Sequence, residues 1–287
     1  MSIRRRFTVP LPDGRALDLG ARTLVMAVVN VTPDSFSDGG LHFDPDRAIA
    51  EAARMVADGA DILDIGGEST RPGADVLPAE EELRRVLPVI EGLRVRVAVP
   101  ISIDTYKAAV ADRALDAGAA IINDISAFAY EPELARVAAR RGAAAVLMHH
   151  RGRSHAMYAE ATYRDVAAEV AAELEARAAV AIAAGVPKDR IILDPGLGFG
   201  KHAEHSLEAL AGLGRIAALG FPVLSGPSRK SFLKVGLGDV PPTDRAWGTA
   251  AAVAASVLLG AHIVRVHDVA EMVQVVRVAD TIAARLQ

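Results

Sequence analysis

Eight times along the chain a short β-branched or aliphatic run leads into a polar loop and then into an alanine-rich segment with helical spacing. The runs are 24–31, 62–65, 100–104, 121–125, 145–149, 191–194, 222–225 and 263–267. The helical segments are 45–58, 79–93, 107–117, 131–140, 164–184, 206–219, 245–259 and 269–286. Few architectures accept that repeat. With no Pro/Gly/Ser-rich linker between units, it predicts an α/β fold in which a (β/α)8 TIM barrel closes on itself, and 1–287 reads as one domain. An open doubly wound sheet is the alternative, because strand count does not show closure. Residues 1–20 contain "FTVPLPDGRALDL", an N-terminal β-hairpin with its turn near Asp13 and Gly14 that would cover the barrel bottom.

A length of 287 residues and 51% hydrophobic content suit a large buried core. The net charge of −4 gives no general attraction to nucleic acid or to anionic lipid. Without cysteine the chain has no disulfide, thiolate nucleophile or thiolate metal site, which fits a reducing, cytoplasmic setting. The basic start "MSIRRRFTVPLPDGR" has no apolar run behind it and reads as no signal peptide. "AWGTAAAVAASVLL" is too short and too rich in alanine for a membrane span.

Polar residues collect where the runs end: Asn30, Glu68, Asp104, Asn123 with Asp124, His149, Asp194, and Arg265 with His267. In a closed barrel those ends form the active-site face. Each residue alone has a plainer reading. Asn30 suits a turn, Asp104 a helix cap, Asp194 the turn of "DPG", Asp268 a helix cap, Lys230 a surface charge, and His150, His155, His202 and His205 a solvated surface. The last strand tips the balance. Val264 and Val266 share the face suited to covering helices, so Arg265 and His267 turn to the mouth, where an arginine needs an anion. Asp104, Asn123 and Asp194 offer acceptors and an amide; Arg71, Lys230 and His267 offer cations or donors. The expected ligand has a donor-rich polar head and an anionic, phosphate-like tail. "NVTPDSFSDGG", with Phe36 between turn residues and glycines, reads as a lid.

In order and at consistent spacing, "VMAVVNVTPDSFSDGG", "DILDIGGESTRPGA", "PISIDTYK", "IINDIS", "VLMHHRG", "LDPGLGFGK", "GPSRKSFL" and "GAHIVRVHDV" resemble the dihydropteroate synthase family over nearly the whole chain. That resemblance implies a barrel that joins 6-hydroxymethyl-7,8-dihydropterin diphosphate to 4-aminobenzoate, releasing pyrophosphate, as a homodimer packed through its last helices. It assigns the pterin diphosphate to Thr70, Asp104, Asn123, Met148, Asp194, Phe199, Lys230, Arg265 and His267, with Arg71 beside the diphosphate. The 4-aminobenzoate pocket falls to Phe36, Thr70, Pro72, Lys230 and Ser231, and Asn30 becomes the ligand of Mg2+. Lys230, Arg71, Arg265, His267 and Asp104 carry the catalytic roles. The chain departs from many relatives at His150. A methyltransferase working on a pterin and a non-catalytic pterin-binding paralogue are the alternative readings. Neither a methyltransferase's chemistry nor its substrate accounts for "STRPG" and "SRKSF" together.

Overall fold

The computed structural model describes residues 4–32, 44–69, 76–152, 158 and 161–286. Phe7–Pro10 (β1) and Ala16–Leu19 (β2) form the antiparallel hairpin, in register from Phe7 with Leu19 to Pro10 with Ala16. Gly14 takes the left-handed conformation that its turn requires. Eight parallel strands follow: Leu24–Asn30 (β3), Ile62–Gly66 (β4), Ile101–Asp104 (β5), Ile121–Asp124 (β6), Ala144–Met148 (β7), Ile191–Asp194 (β8), Leu224–Ser225 (β9) and Ile263–Val266 (β10). Their order around the sheet is β8-β7-β6-β5-β4-β3-β10-β9. A parallel bridge from Leu193 to Val223, with the Leu193 N–H donating to the Pro222 carbonyl at 2.9 Å, joins its two ends. The barrel therefore closes, and the open sheet is excluded.

Helices Pro45–Ala57 (α1), Ala79–Arg94 (α2), Ala108–Ala117 (α3), Glu133–Arg141 (α4), Val166–Ala183 (α5), Ala203–Ala211 (α6), Leu213–Ala217 (α7), Lys234–Leu237 (α8), Ala246–Leu258 (α9) and Val269–Ala283 (α10) lie between the strands. The seventh expected strand shrinks to two residues, and the helix expected over 206–219 divides into α6 and α7. Gly212 marks the break. A Cβ there would collide with that of Ala167, so close packing on α5 interrupts what periodicity alone would continue. No helix among the described residues is long and apolar enough to cross a membrane.

Alternation along the strands gives each barrel strand two jobs. Outward residues such as Val25, Ala27, Ile65, Ile103, Leu147, Leu193, Val264 and Val266 pack with the helices in one apolar cluster. Inward residues Leu24, Met26, Ile62, Ile121, Ala144, Val146, Ile192, Leu224 and Ile263 form a second cluster with Val9, Leu11, Leu17 and Leu19 of the hairpin. The hairpin thus plugs the N-terminal end of the barrel, as its pattern predicts. Only the carboxyl ends of the strands remain for chemistry.

Candidate active site

Continuing the inward face of each strand past its apolar layer brings polar residues to the other end. Asn30 stands opposite Gly66, Gly66 opposite Asp104, and Asp104 opposite Asn123, across four adjacent strands. On the far wall Met148 stands opposite Asp194. Two glycines hold this end open. A Cβ on Gly66 would meet Asp104 Cβ at 3.5 Å, and one on Gly226 would meet Arg265 Cβ at 3.6 Å and Lys230 Nζ at 3.8 Å.

One carboxylate organises the floor. Asp64, fully buried in β4, accepts through Oδ2 from Asn123 Nδ2 at 2.8 Å and from Arg265 Nε at 2.6 Å. The same guanidinium donates from Nη2 to Asp104 Oδ2 at 2.7 Å. Buried charges persist only when paired, and here one arginine serves two aspartates. Burial pushes the Asp104 carboxyl up to about 7, with Arg265 working against that rise and Asp64 adding to it. Asp64 Oδ1 and Asp104 Oδ1 are buried with no hydrogen-bond partner. Because Asp64 takes the amide N–H2 of Asn123, that side chain keeps its oxygen as an acceptor.

The opposite wall is built around the loop after β8. Asp194 Oδ1 accepts from the Gly196 N–H at 2.7 Å, so Asp194 does close the turn of "DPG", and it does so at the mouth of the barrel. Burial raises the Asp194 carboxyl above its ordinary range, with Lys230 opposing. Lys230 lies 4.6 Å from the centre of the Phe199 ring, and burial brings its ammonium down to about 8. At the end of β10, His267 Nδ1 lies 3.0 Å from Ser228 Oγ, and burial first, then Arg265 and Arg229, depress the ring to about 3. His267 is therefore neutral at physiological pH and offers a hydrogen bond without a charge.

Carboxylates and an amide oxygen facing a mouth that also holds two cations and a neutral donor match a polar heterocycle with an anionic tail. The comparisons agree. Residues 26–267 match the family described as pterin binding enzyme. The chain belongs to the dihydropteroate synthase family of pterin-binding enzymes. It is 48% identical over 277 residues to the dihydropteroate synthase of Synechocystis sp., covering 96% of each chain. Its structure matches that of Xanthomonas albilineans dihydropteroate synthase with 4-aminobenzoic acid at a TM-score of 0.89 and 44% identity, over 96% of this chain and 99% of that one. Yersinia pestis dihydropteroate synthase, in a sulfonamide drug complex, matches at 0.89 and 40% identity, over 98% and 100%.

Of the residues that the dihydropteroate synthase resemblance singles out, the fold gathers Asn30, Asp104, Asn123, Met148, Asp194, Phe199, Lys230, Arg265 and His267 at one end of the barrel. Ser231 lies exposed at the start of the turn 231–233, directly after Lys230. Phe36, Thr70, Arg71, Pro72 and His155 lie outside the described residues. Several plainer expectations change. Helix α3 begins at Ala108 with Lys107 at its cap, so Asp104 caps nothing. Asp268 stands at the cap of α10 but makes no capping bond; its carboxylate pairs with Arg229, whose φ is 59°. Asp124 accepts from the N–H groups of Ser126 and Phe128 and belongs to its turn. His150 packs edge-on to Tyr130 at 5.7 Å and tilted to Phe199 at 6.4 Å, so it extends the pocket wall and is not a solvated surface histidine.

For Mg2+ the donor set is small. Asn30 brings one hard oxygen, half-buried at the lip, and among the described residues no group of three or more His, Asp or Glu gathers to hold an ion. Such a site fits an ion that arrives with a diphosphate and takes most of its ligands from it and from water. Asp64 is the site residue that attention to strand ends misses. Its signal is a lone carboxylate inside "ILDIG", on the inward face with Ile62 and Gly66.

Proposed function

We propose that this chain condenses (7,8-dihydropterin-6-yl)methyl diphosphate with 4-aminobenzoate, giving 7,8-dihydropteroate and pyrophosphate for folate biosynthesis. The observation that carries the reading is the division of the mouth. Three acceptors from three strands, Asp104, Asn123 and Asp194, face a pocket walled by Met148 and Phe199, while the groups suited to an anion stand at its rim.

Asp194, with one oxygen held by the Gly196 N–H, presents the other to the 2-amino and ring N–H edge of the pterin. Asn123 accepts through the oxygen that Asp64 leaves free, and Asp104 through its unpaired Oδ1. Lys230 donates to the heterocycle beside Phe199. Arg265, whose Nε and Nη2 are taken by aspartates, keeps Nη1 for the diphosphate, and His267 adds a neutral N–H. Thr70 and Arg71 complete the diphosphate contacts, and Phe36, Thr70, Pro72, Lys230 and Ser231 border the 4-aminobenzoate. Asn30 holds Mg2+, which when bound supplies Lewis-acid stabilisation of the leaving oxygens.

No protein nucleophile is required. The bond from the exocyclic methylene carbon to oxygen breaks, its electron pair leaves with pyrophosphate, and the reduced pterin delocalises the positive charge. The lone pair of the arylamine then forms the C–N bond, and the nitrogen loses its proton to solvent or to the departing pyrophosphate. The protein's task is to bind, align and neutralise, and fixed donors aimed at the growing oxyanion charge do that without reorganisation.

The same reading takes 1–287 as one folding unit in the cytoplasm and the assembly as a homodimer. Ala254, Leu258, Gln274, Val275, Val278, Ala279 and Ile282 line an apolar groove between α9 and α10, and Val278 and Ile282 are exposed in the isolated chain. A second copy would cover it. Incubating purified protein with both substrates and Mg2+ tests the function: pyrophosphate and dihydropteroate should appear in equal amounts. Tight pterin binding without turnover would instead mark a binding paralogue.

A further inference from the structure

Below the loop after β8 lies a lysine that no expected contact uses. Lys201 is only 1% exposed, one of the largest side chains so deeply buried in this chain. Its Nζ makes three hydrogen bonds: to His149 Nδ1 at 2.7 Å, to the Gly196 carbonyl at 3.2 Å and to the Phe199 carbonyl at 3.1 Å. An ammonium has three donors, and these acceptors use all of them. His149 can accept because its Nε2, 3.0 Å from Glu173 Oε2, carries the proton, and because burial depresses the ring to about 4.

The three acceptors come from two segments that must stay together. His149 follows β7; Gly196 and Phe199 belong to the loop after β8. Gly196 is held from both sides, since its N–H donates to Asp194 Oδ1 while its carbonyl accepts from Lys201. Phe199 offers its carbonyl to Lys201 and its ring to Lys230. Two other bonds tie the loop, the Gly198 N–H to Ser206 Oγ at 3.1 Å and the Tyr163 hydroxyl to the Gly200 carbonyl at 2.7 Å, but neither holds Gly196 or Phe199. Gly196, Gly198 and Gly200 all have positive φ, and among residues 195–200 Leu197 is the one large side chain fully buried. Backbone contact is so close that a Cβ on Gly196 would collide with the His149 carbonyl.

We propose that Lys201 is a positioning residue for the pterin pocket, its buried ammonium holding Asp194 and Phe199 in the geometry that receives the heterocycle. Removing the charge frees two carbonyls and lets the glycine-rich loop sample other conformations, so the pterin must order the loop as it binds. Burial lowers the ammonium to about 7, with the Asp194 carboxylate opposing that fall and Lys230 reinforcing it, so the charge is present in the acidic range and is lost as pH rises through that value. The proposal rests on the assignment of the pterin to Asp194 and Phe199.

A double-mutant cycle tests it. Calorimetric affinity for the dihydropterin diphosphate is measured for wild type, Lys201→Met, Phe199→Ala, the double variant and Asp194→Asn. Lys201→Met should weaken binding about tenfold in the wild-type background and less than about threefold once Phe199 is gone, because residues that act through one another are not additive. In turnover it should raise KM for the pterin substrate more than it lowers kcat. Should Lys201→Met not fold, Lys201→Gln, which keeps donors for a carbonyl, takes its place in the same cycle. Equal losses in both backgrounds, or no loss in either, would overturn the positioning role. Loss in Asp194→Asn with none in Lys201→Met would overturn that role alone, and unchanged affinity in Asp194→Asn would overturn the pocket assignment beneath it.

Discussion

The two ends of the barrel interior are built from the same eight strands and have opposite chemistry. Toward the N-terminal end, Met26, Ile62, Ile121, Val146 and Ile192 meet the hairpin's Val9, Leu11, Leu17 and Leu19 in a sealed apolar layer. Toward the other end, in places two residues further along the same strands, stand Asp64, Asn123, Met148, Asp194 and Arg265, with Gly66 and Gly226 keeping the space open. Stability and function are thereby separated along one axis. Filling the lower layer maximises burial, whereas the upper layer keeps charges in a confined space and must pair each one. Variants in the two layers should accordingly move different observables.

The largest effect is expected where the layers meet. Asp64→Ala leaves the Asn123 amide without its acceptor and takes one of two carboxylates from Arg265. Breaking a buried ionic network of this kind costs about 3–5 kcal/mol. Chemical denaturation should show that loss, and pterin affinity should fall with it. A variant that keeps both would remove Asp64 from the role of organiser. In the lower layer, Leu19→Ala should lower unfolding free energy by about 2–4 kcal/mol through the cavity it leaves, with pterin affinity unchanged. A parallel loss of affinity would mean that the ends are coupled.

Gly66→Ala sharpens the contrast further. The added methyl lies at ordinary contact distance from Asp104, so the melting temperature should hold, while the narrowed mouth weakens pterin binding a few-fold, roughly 0.5–1 kcal/mol. A drop in stability instead would assign the glycine to the backbone and not to the pocket. The smallest effect is a proton count. Asp104 titrates near 7, so at neutral pH part of the population is protonated. Ligand donors at its unpaired oxygen favour the ionised form and lower that pKa. Pterin binding should therefore release a fraction of a proton, about one half at pH 7, shrinking toward zero above about pH 8. Calorimetry in buffers of different ionisation enthalpy measures it, and Asp104→Asn should remove that contribution, leaving only the uptake from groups such as Lys230.

How far the chain could be read without coordinates follows the same axis. Period-two alternation and recurring helical segments are local signals, and they give the strands, the plug and the polar residues at the strand ends. Asp64 escaped because attention to strand ends favours terminal residues; its role depends on an arginine 201 positions away, a distance that no local pattern spans. Lys201 escaped for a related reason: at the end of "GLGFGK" it reads as a loop cation, and only tertiary packing puts it beneath the loop. Gly212 falls inside the helical spacing of 206–219, and only the packing of Ala167 against it interrupts that helix. Phe36, Thr70, Arg71 and Pro72 rest on the resemblance and lie outside the described residues.

The separation of the two layers is tested most directly at Asp194, whose Oδ1 is already committed to the Gly196 N–H. Asp194→Asn can keep that bond and so preserve the loop, while the amide N–H2 takes the place of the oxygen that meets the pterin's donor edge. Two facing donors in a buried site cost about 1–3 kcal/mol. Calorimetric affinity for the dihydropterin diphosphate should fall tenfold or more, with the melting temperature within a degree or two of wild type. Unchanged affinity in a folded variant would contradict the account by removing the pterin from the upper layer.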